Sequence, residues 1–289
     1  MIQLHLSTGL YCQAACTFCS YASDENKALP KYFMPVDLSD KILLDAAANP
    51  QIDNVAFSGL SEPLLDKHLE HRIAYIKKLR PDIYTEIYTN GVALSPERFD
   101  SLKAAGLDCL SISLNAVTQA QHTAVMGLKD KFNLVCEHAR YARANKGSMR
   151  LLVKAVVNGD HFTATHAAMF QGLWGTIDVG DGVGALVWEG NWAGETRLVE
   201  GRPEVDYNAT CGRAMAQISV HPSGKVGLCC FDPLVKYEFG DLKTQTLKEV
   251  YNSPKYVEFR EWHRDGVAAQ HPLCAKCTRI GGGDKCRRK

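Results

Sequence analysis

The 289-residue sequence predicts an α/β protein: a partial (β/α)6 TIM barrel followed by a small C-terminal β-hairpin/helix unit. Three observations carry this expectation. Strand-like and helix-like segments alternate along the first two-thirds of the chain, an order that demands a parallel sheet with helices outside. Six such units fit, fewer than the eight that a full barrel spreads over about 250 residues. The 11 cysteines cluster toward the two ends of a long chain, a distribution that suits metal ligation better than a disulfide scaffold. An open Rossmann sheet ranks second, because no Gly-x-Gly-x-x-Gly is present.

Each element has its own signal. Ile2–Ser7 reads as the first strand and leads into a cysteine loop, with a helix expected near Asp37–Ala48. Asn54–Ser58 suits a buried strand, and Asp66–Arg80 has helical periodicity. Ile83–Thr89 alternates and runs into Asn90-Gly91, a turn signal. Ser95 and Pro96 supply the N-cap and first position of a helix reaching Ala105. Cys109–Leu114 is apolar and partly β-branched, Lys131–Asn145 is helical, Arg150–Val157 a strand and His161–Gly172 helical. A sixth strand falls near Ala185–Trp188. Gln217–Cys229 then reads as a hairpin turning at Pro222-Ser223-Gly224, and Leu247–Asn252 and Pro254–His263 are helical by period. The expected domains are 1–205 and 206–289.

Composition excludes several classes. A net charge of +1 gives no field for nucleic acid or an anionic membrane, and the basic end Lys285–Lys289 reads as a solvated tail. There is no apolar run of about 18 residues to span a bilayer. Met1 is not followed by a basic segment and an apolar core, as a secretory signal would be. A reducing cytoplasm is the expected location.

Cys12-Gln-Ala-Ala-Cys16-Thr-Phe-Cys19 directly follows the first strand. Three thiolates in a C-x3-C-x2-C run can wrap one iron–sulfur cube and leave its fourth iron without a protein ligand. Such an iron is open to a substrate or cofactor, as in an open metal site. A zinc knuckle and an incomplete disulfide set are the competing readings. Ligands of a barrel gather at the carboxyl ends of its strands. There the second strand ends in Phe57-Ser58-Gly59-Leu60-Ser61-Glu62-Pro63, the third in Thr89-Asn90-Gly91, and the fourth in Ser111-Ile112-Ser113-Leu114-Asn115. Gly59 allows close backbone approach, and Glu62 can accept from an ammonium group. Each is an ordinary turn when taken singly; polar patches on successive strand tops point to one site.

Together with Phe18 before the last cysteine, these motifs resemble the radical S-adenosylmethionine (SAM) superfamily over roughly residues 1–200. The resemblance implies that Cys12, Cys16 and Cys19 hold a [4Fe–4S] cluster whose unligated iron chelates SAM. One electron from that cluster then cleaves the sulfonium to a 5′-deoxyadenosyl radical. The turn of Gly59, Ser61 and Glu62 would meet the SAM amino group, although Ser61 stands where the family often has glycine. Asn90 would lie beside the cofactor, with Ser113 and Asn115 near its ribose or carboxylate. Lys154 would reach the SAM carboxylate or snorkel outward; the sequence leaves both open.

The C-terminal third holds a second cysteine group. Cys211 is followed by twelve residues, Gly224, four residues and Cys229, and later by Cys274-Ala-Lys-Cys277. Four thiolates in two pairs can close around a structural zinc. The pattern also resembles the SPASM/twitch extensions, whose hairpin and later C-x2-C complete an auxiliary [4Fe–4S] cluster. A full SPASM module adds further cysteines, but Gly283 stands at the next position and only Cys286 remains, which implies one auxiliary cluster. Cys230 and Cys286 are then spare, while Cys109 and Cys136 read as inert core residues.

The expected activity is hydrogen abstraction from a small polar substrate, sugar, cyclitol or amino-acid-like. The outcome is oxidation at carbon with the auxiliary cluster as electron acceptor, or epimerisation with Cys230 or Cys286 as hydrogen donor. Peptide maturation and a zinc-stabilised binding module are the other readings; a cluster motif starting at residue 12 favours a small molecule over a leader peptide. Trp188, Glu189, Asn191, Trp192 and Arg197 are candidates for substrate contact, with Glu189 or Arg197 as proton acceptor. The expected partner is a reductant such as flavodoxin or ferredoxin.

Overall fold

The computed structural model describes residues 1–157, 162–187 and 209–278. β1 (Ile2–Leu6) leads through the cysteine loop to α1 (Asp24–Lys27) and α2 (Val36–Ala48). Alternation continues with β2 (Ile52–Phe57), α3 (Leu69–Leu79), β3 (Tyr84–Thr89), α4 (Pro96–Ala104) and β4 (Cys109–Ser113). α5 (Gln119–Met126), α6 (Phe132–Asn145), β5 (Arg150–Val156), α7 (Ala164–Trp174) and β6 (Gly184–Val187) complete the barrel portion. α8 (Gly212–Ala216), β7 (Gln217–Val220), β8 (Lys225–Gly227), β9 (Gly240–Asp241), α9 (Leu247–Tyr251) and α10 (Pro254–Arg264) follow. Ser95 caps α4 from its side chain and Pro96 occupies its first turn, as the sequence predicts. No helix among the described residues is long and apolar enough to cross a membrane.

The strands form one sheet in the order β6-β5-β4-β3-β2-β1-β7-β8-β9. β6 through β7 are parallel neighbours; β8 and β9 add antiparallel. The six-strand parallel barrel sheet of the prediction is present. The hairpin does more than predicted, because β7 pairs with β1 (Gln3↔Gln217 to Leu6↔Val220) and extends the parallel sheet.

Strand side chains alternate between faces. Leu4, Leu6, Phe57, Leu110, Ile112, Val153 and Val220 lie on the outer face, in one apolar core with helix residues such as Ile42, Ile73, Phe99 and Trp174. The opposite parity carries Gln3, His5, Asn54, Glu86, Tyr88, Ser111, Lys154, Gln217 and Ser219. Bulky branched residues fill an ordinary TIM barrel. Here the inner face is polar, which it can be only by hydrogen bonding within itself or to a ligand.

Candidate active site

The Cys12–Cys19 loop leaves the carboxyl end of β1 and is fastened on two sides. Ala15 and Thr17 donate their main-chain N–H groups to the carbonyls of Met126 and Val125, each at 2.9 Å, at the end of α5. The N–H of Glu62 donates to the Tyr11 carbonyl at 2.8 Å. Gly127 ends α5 in the left-handed region, φ +66°, and a side chain there would meet Ala15 Cβ at 3.0 Å. Asn90 Nδ2 reaches Cys12 Sγ at 3.8 Å, and Cys16 Sγ lies 3.3 Å from Met126 Sδ. Burial, then the Glu62 carboxylate, pushes the Cys12 thiol up to about 12. Burial and the other two cysteines push Cys16 up as well. Soft thiols so desolvated become thiolates only beside added positive charge, which a coordinated iron supplies. The donor set fits an iron–sulfur cluster.

The strand-top residues close around this loop. Glu62 is fully buried, and its carboxylate accepts from Leu64 N at 3.0 Å, Thr89 Oγ1 at 2.5 Å and Asn90 N at 2.7 Å. Gly59 is packed on Ser7, leaving no room for a Cβ. Ser61 Oγ is buried without a hydrogen-bond partner. Asn90 Oδ1 accepts from Gln13 Nε2 at 3.2 Å and from Val92 N at 3.0 Å. Asn115 has φ +55°, accepts from Val156 N and donates to Met126 Sδ at 3.0 Å. Half-buried Ser113 is in register with Lys154. Lys154 itself is buried, with its Nζ 4.2 Å from the centre of the Tyr88 ring. Outward snorkelling is thereby replaced by an inner-face lysine, because Leu151, Val153 and Ala155 take the outer parity.

Cys211, Cys229, Cys274 and Cys277 line one cavity of about 380 Å3. Its other walls include Arg213, Phe231, Phe259 and His263. Cys211 N-caps α8, Cys229 follows β8, and Cys277 N donates to Cys274 O at 3.0 Å across a 3-10 turn. Burial raises Cys229 and Cys274, with the neighbouring cysteines raising them further. Among the described residues no three His, Cys, Asp or Glu side chains converge as for a single ion; the four thiols border a space. This donor set also fits an iron–sulfur group.

Cys230 faces elsewhere. It lines a cavity of about 240 Å3 with His5, Ser7, Gly59, Ser219, His221 and Asp232, at the carboxyl ends of β1, β2 and β7. From there a hydrogen-bonded chain crosses the inner face. Cys230 N donates to Gln217 Oε1 at 3.2 Å, Gln217 Nε2 to Gln3 Oε1 at 2.7 Å, and Gln3 Nε2 to Glu86 Oε1 at 2.6 Å. Tyr88 OH donates to the other Glu86 oxygen at 3.2 Å. Gln3, Glu86, Tyr88 and Gln217 went unpredicted, although their shared parity on alternating strands signals them. Cys109 and Cys136 are buried, as expected. Glu189, Arg197, Cys286, Trp188, Asn191 and Trp192 lie outside the described residues.

A polar-lined partial barrel with a thiol-rich loop above β1, and a four-thiol cavity beside it, have the donor sets that suit an iron–sulfur protein. Residues 6–165 match the family described as the Radical SAM superfamily, and residues 211–278 match the SPASM iron-sulfur cluster-binding domain. This chain belongs to the radical SAM superfamily and ends in a SPASM domain. The two domains imply SAM and [4Fe–4S] clusters, one that binds SAM and one auxiliary. A GTP 3',8-cyclase of Synechococcus sp. (strain CC9902) is 34% identical over 167 residues, 53% of this chain and 46% of that protein. One from Mycobacterium sp. (strain KMS) is 33% identical over 149 residues, 52% and 41% respectively. The chain spans less than half the length of these curated relatives. Among solved structures, BtrN in complex with AdoMet and 2-DOIA has a TM-score of 0.64 at 18% identity, over 96% of this chain and 93% of that one. Native anSMEcpe with bound AdoMet and a Cp18Cys peptide gives 0.68 at 18%, over 96% and 86%. At these identities the likeness is one of fold.

Proposed function

We propose that this enzyme abstracts a hydrogen atom from a small polar substrate, sugar, cyclitol or amino-acid-like, and oxidises it at carbon. Cys12, Cys16 and Cys19 hold the SAM-binding cluster in this reading, and Cys211, Cys229, Cys274 and Cys277 hold the auxiliary one. The observation that carries it is the gathering of four thiols from distant segments into one cavity, one residue from a second cavity at the strand ends. When bound, the groups supply a hydrogen-abstracting radical and an electron acceptor.

The chain's own residues do the rest. Gly59, Ser61, Glu62, Asn90, Ser113, Asn115 and Lys154 surround the SAM position, with Glu62 acting also as a brace for the β3 end. The polar inner face binds the substrate's hydroxyl or amino groups. Ser111 Oγ, buried there without a hydrogen-bond partner, is a hydroxyl for one of them. Burial lowers His221 to about 4, so at pH 7 it is a neutral imidazole that can both donate and accept. Glu189 and Arg197 stay the candidate proton acceptors, and flavodoxin or ferredoxin the candidate reductant.

Epimerisation is the second reading, favoured by the position of Cys230 on the strand-end cavity rather than on the four-thiol one. Cys286 is the other candidate donor.

Anaerobic reconstitution tests the two-cluster claim: about eight irons per chain are expected, and four or fewer overturn it. Turnover in deuterated water then separates the outcomes. A product two mass units lighter marks oxidation, whereas solvent deuterium at the reacting carbon, lost in Cys230→Ala, marks epimerisation.

A further inference from the structure

The cavity lined by Cys211, Cys229, Cys274 and Cys277 is also lined by two nitrogenous side chains that no part of the reaction has yet used, Arg213 and His263. Both are buried, Arg213 at 8% and His263 at 1% exposure. Arg213 lies two residues after Cys211 on α8, its guanidinium 5.0 Å from the centre of the Phe231 ring, another wall of the same cavity. His263 belongs to the last turn of α10, and its Nε2 is 3.6 Å from Cys274 Sγ. The Phe259 ring, 4.8 Å away edge-on, fixes the imidazole plane.

The chemistry of each contact has one direction. A guanidinium keeps its proton under all protein conditions, so Arg213 is a fixed positive charge. A cysteine thiolate can only accept, so a contact from His263 Nε2 to a thiolate at Cys274 is N–H···S, with the imidazole proton on Nε2. His263 Nδ1 has no hydrogen-bond partner competing for that proton. The reduction potential of an iron–sulfur cluster is set by net charge, hydrogen bonds to the sulfurs and solvent exposure. Positive charge and N–H···S bonds favour the more negative, reduced form, and a buried site lets both act with little screening.

We infer that Arg213 and His263 set the potential of the auxiliary cluster, raising it so that the cluster accepts an electron readily. This rests on the reading that Cys211, Cys229, Cys274 and Cys277 hold that cluster. Arg213 and His263 are positioning residues, since they act through the cluster and its ligands rather than on the substrate. The arrangement biases the enzyme toward oxidation, which needs an acceptor, over inversion, which does not.

The test isolates the auxiliary cluster with a Cys12→Ala/Cys16→Ala/Cys19→Ala chain. About four irons per chain uphold the cluster reading; none would sink that reading and not merely this inference. In the loaded triple variant, a redox titration followed by electron paramagnetic resonance compares Arg213→Gln, Arg213→Lys and His263→Phe. Arg213→Gln and His263→Phe are each expected to lower the reduced-to-oxidised ratio at a fixed potential at least tenfold, about 59 mV for a one-electron couple. Arg213→Lys, which keeps the charge, is expected to recover most of the loss. Unmoved midpoints at unchanged iron content overturn the inference. Should the substitutions fail to load iron, electron–nuclear double resonance on the triple variant with histidine labelled with nitrogen-15 decides instead. A nitrogen coupled to the reduced cluster and abolished by His263→Gln, or by chelation of the iron, supports it; no coupling overturns it.

Discussion

The main-chain N–H of Asn90 donates to Glu62 Oε2 across 2.7 Å, tying the end of β3 to the turn that follows β2. Thr89 and Leu64 donate to the other oxygen, so one buried carboxylate fixes two neighbouring strand tops and, through the Glu62 N–H to Tyr11, the cysteine loop as well. A side chain in the expected cofactor shell thus also braces the frame around it.

Burial outweighs the three donors and raises the Glu62 carboxyl from 4.5 to about 7. A carboxyl raised on folding binds its proton more tightly in the native state, so its contribution to stability is full below about 4.5 and is lost as pH rises toward 7. Denaturant midpoints of the cluster-free wild type and Glu62→Gln, measured at several pH values, check this. The wild-type advantage should shrink between pH 4.5 and 7; a constant difference would contradict it.

Gly59→Ala should cost about 1–3 kcal/mol, the usual range for overpacking, because the new methyl group falls on the Ser7 side chain. Ser7→Gly in the same chain should return part of the loss. Urea denaturation of the two single variants and the double one measures the coupling.

Gly127→Ala strains a left-handed residue, at about 1–2 kcal/mol, and presses on Ala15 in the cysteine loop. Reduced stability should therefore come with reduced iron at the first cluster. Iron analysis in a Cys211→Ala/Cys229→Ala background reads that site, and full loading there would count against the loop's dependence on α5.

Gln217→Leu removes the middle of the inner-face chain and takes from buried Gln3 Oε1 the amide that donates to it. An unsatisfied buried group costs about 1–3 kcal/mol. Gln3→Leu added to it should cost less than the sum of the single changes, as thermal unfolding of the set will show.

Much of this site could be read from residue order because it is made of local signals. The C-x3-C-x2-C run, the Ser95-Pro96 cap and the turn endings at Gly59–Glu62 and Thr89–Gly91 each lie within a few residues. α5 was missed: eight residues long and weakly amphipathic, it is bracketed only by Thr118 as N-cap and Gly127 as C-cap. The side taken by Lys154 follows from the two-residue period of its strand, in which Leu151, Val153 and Ala155 share the opposite, apolar face. The pairing of β7 with β1 was not readable, since strand partners distant in sequence leave no mark on local periodicity.

That pairing has a consequence for how the protein is made. Gln3 and Gln217 touch across 214 positions of sequence, so β1 obtains its second neighbour only after almost the whole barrel has been synthesised. Until then β1 is an edge strand, its unpaired amides open to another chain, and closing so long a loop is slow. Ribosome-bound fragments ending before Gln217 should therefore lean on chaperones more than those ending after α10. Through that pairing the barrel strands and the C-terminal hairpin share one sheet, so each covers an edge the other would leave open.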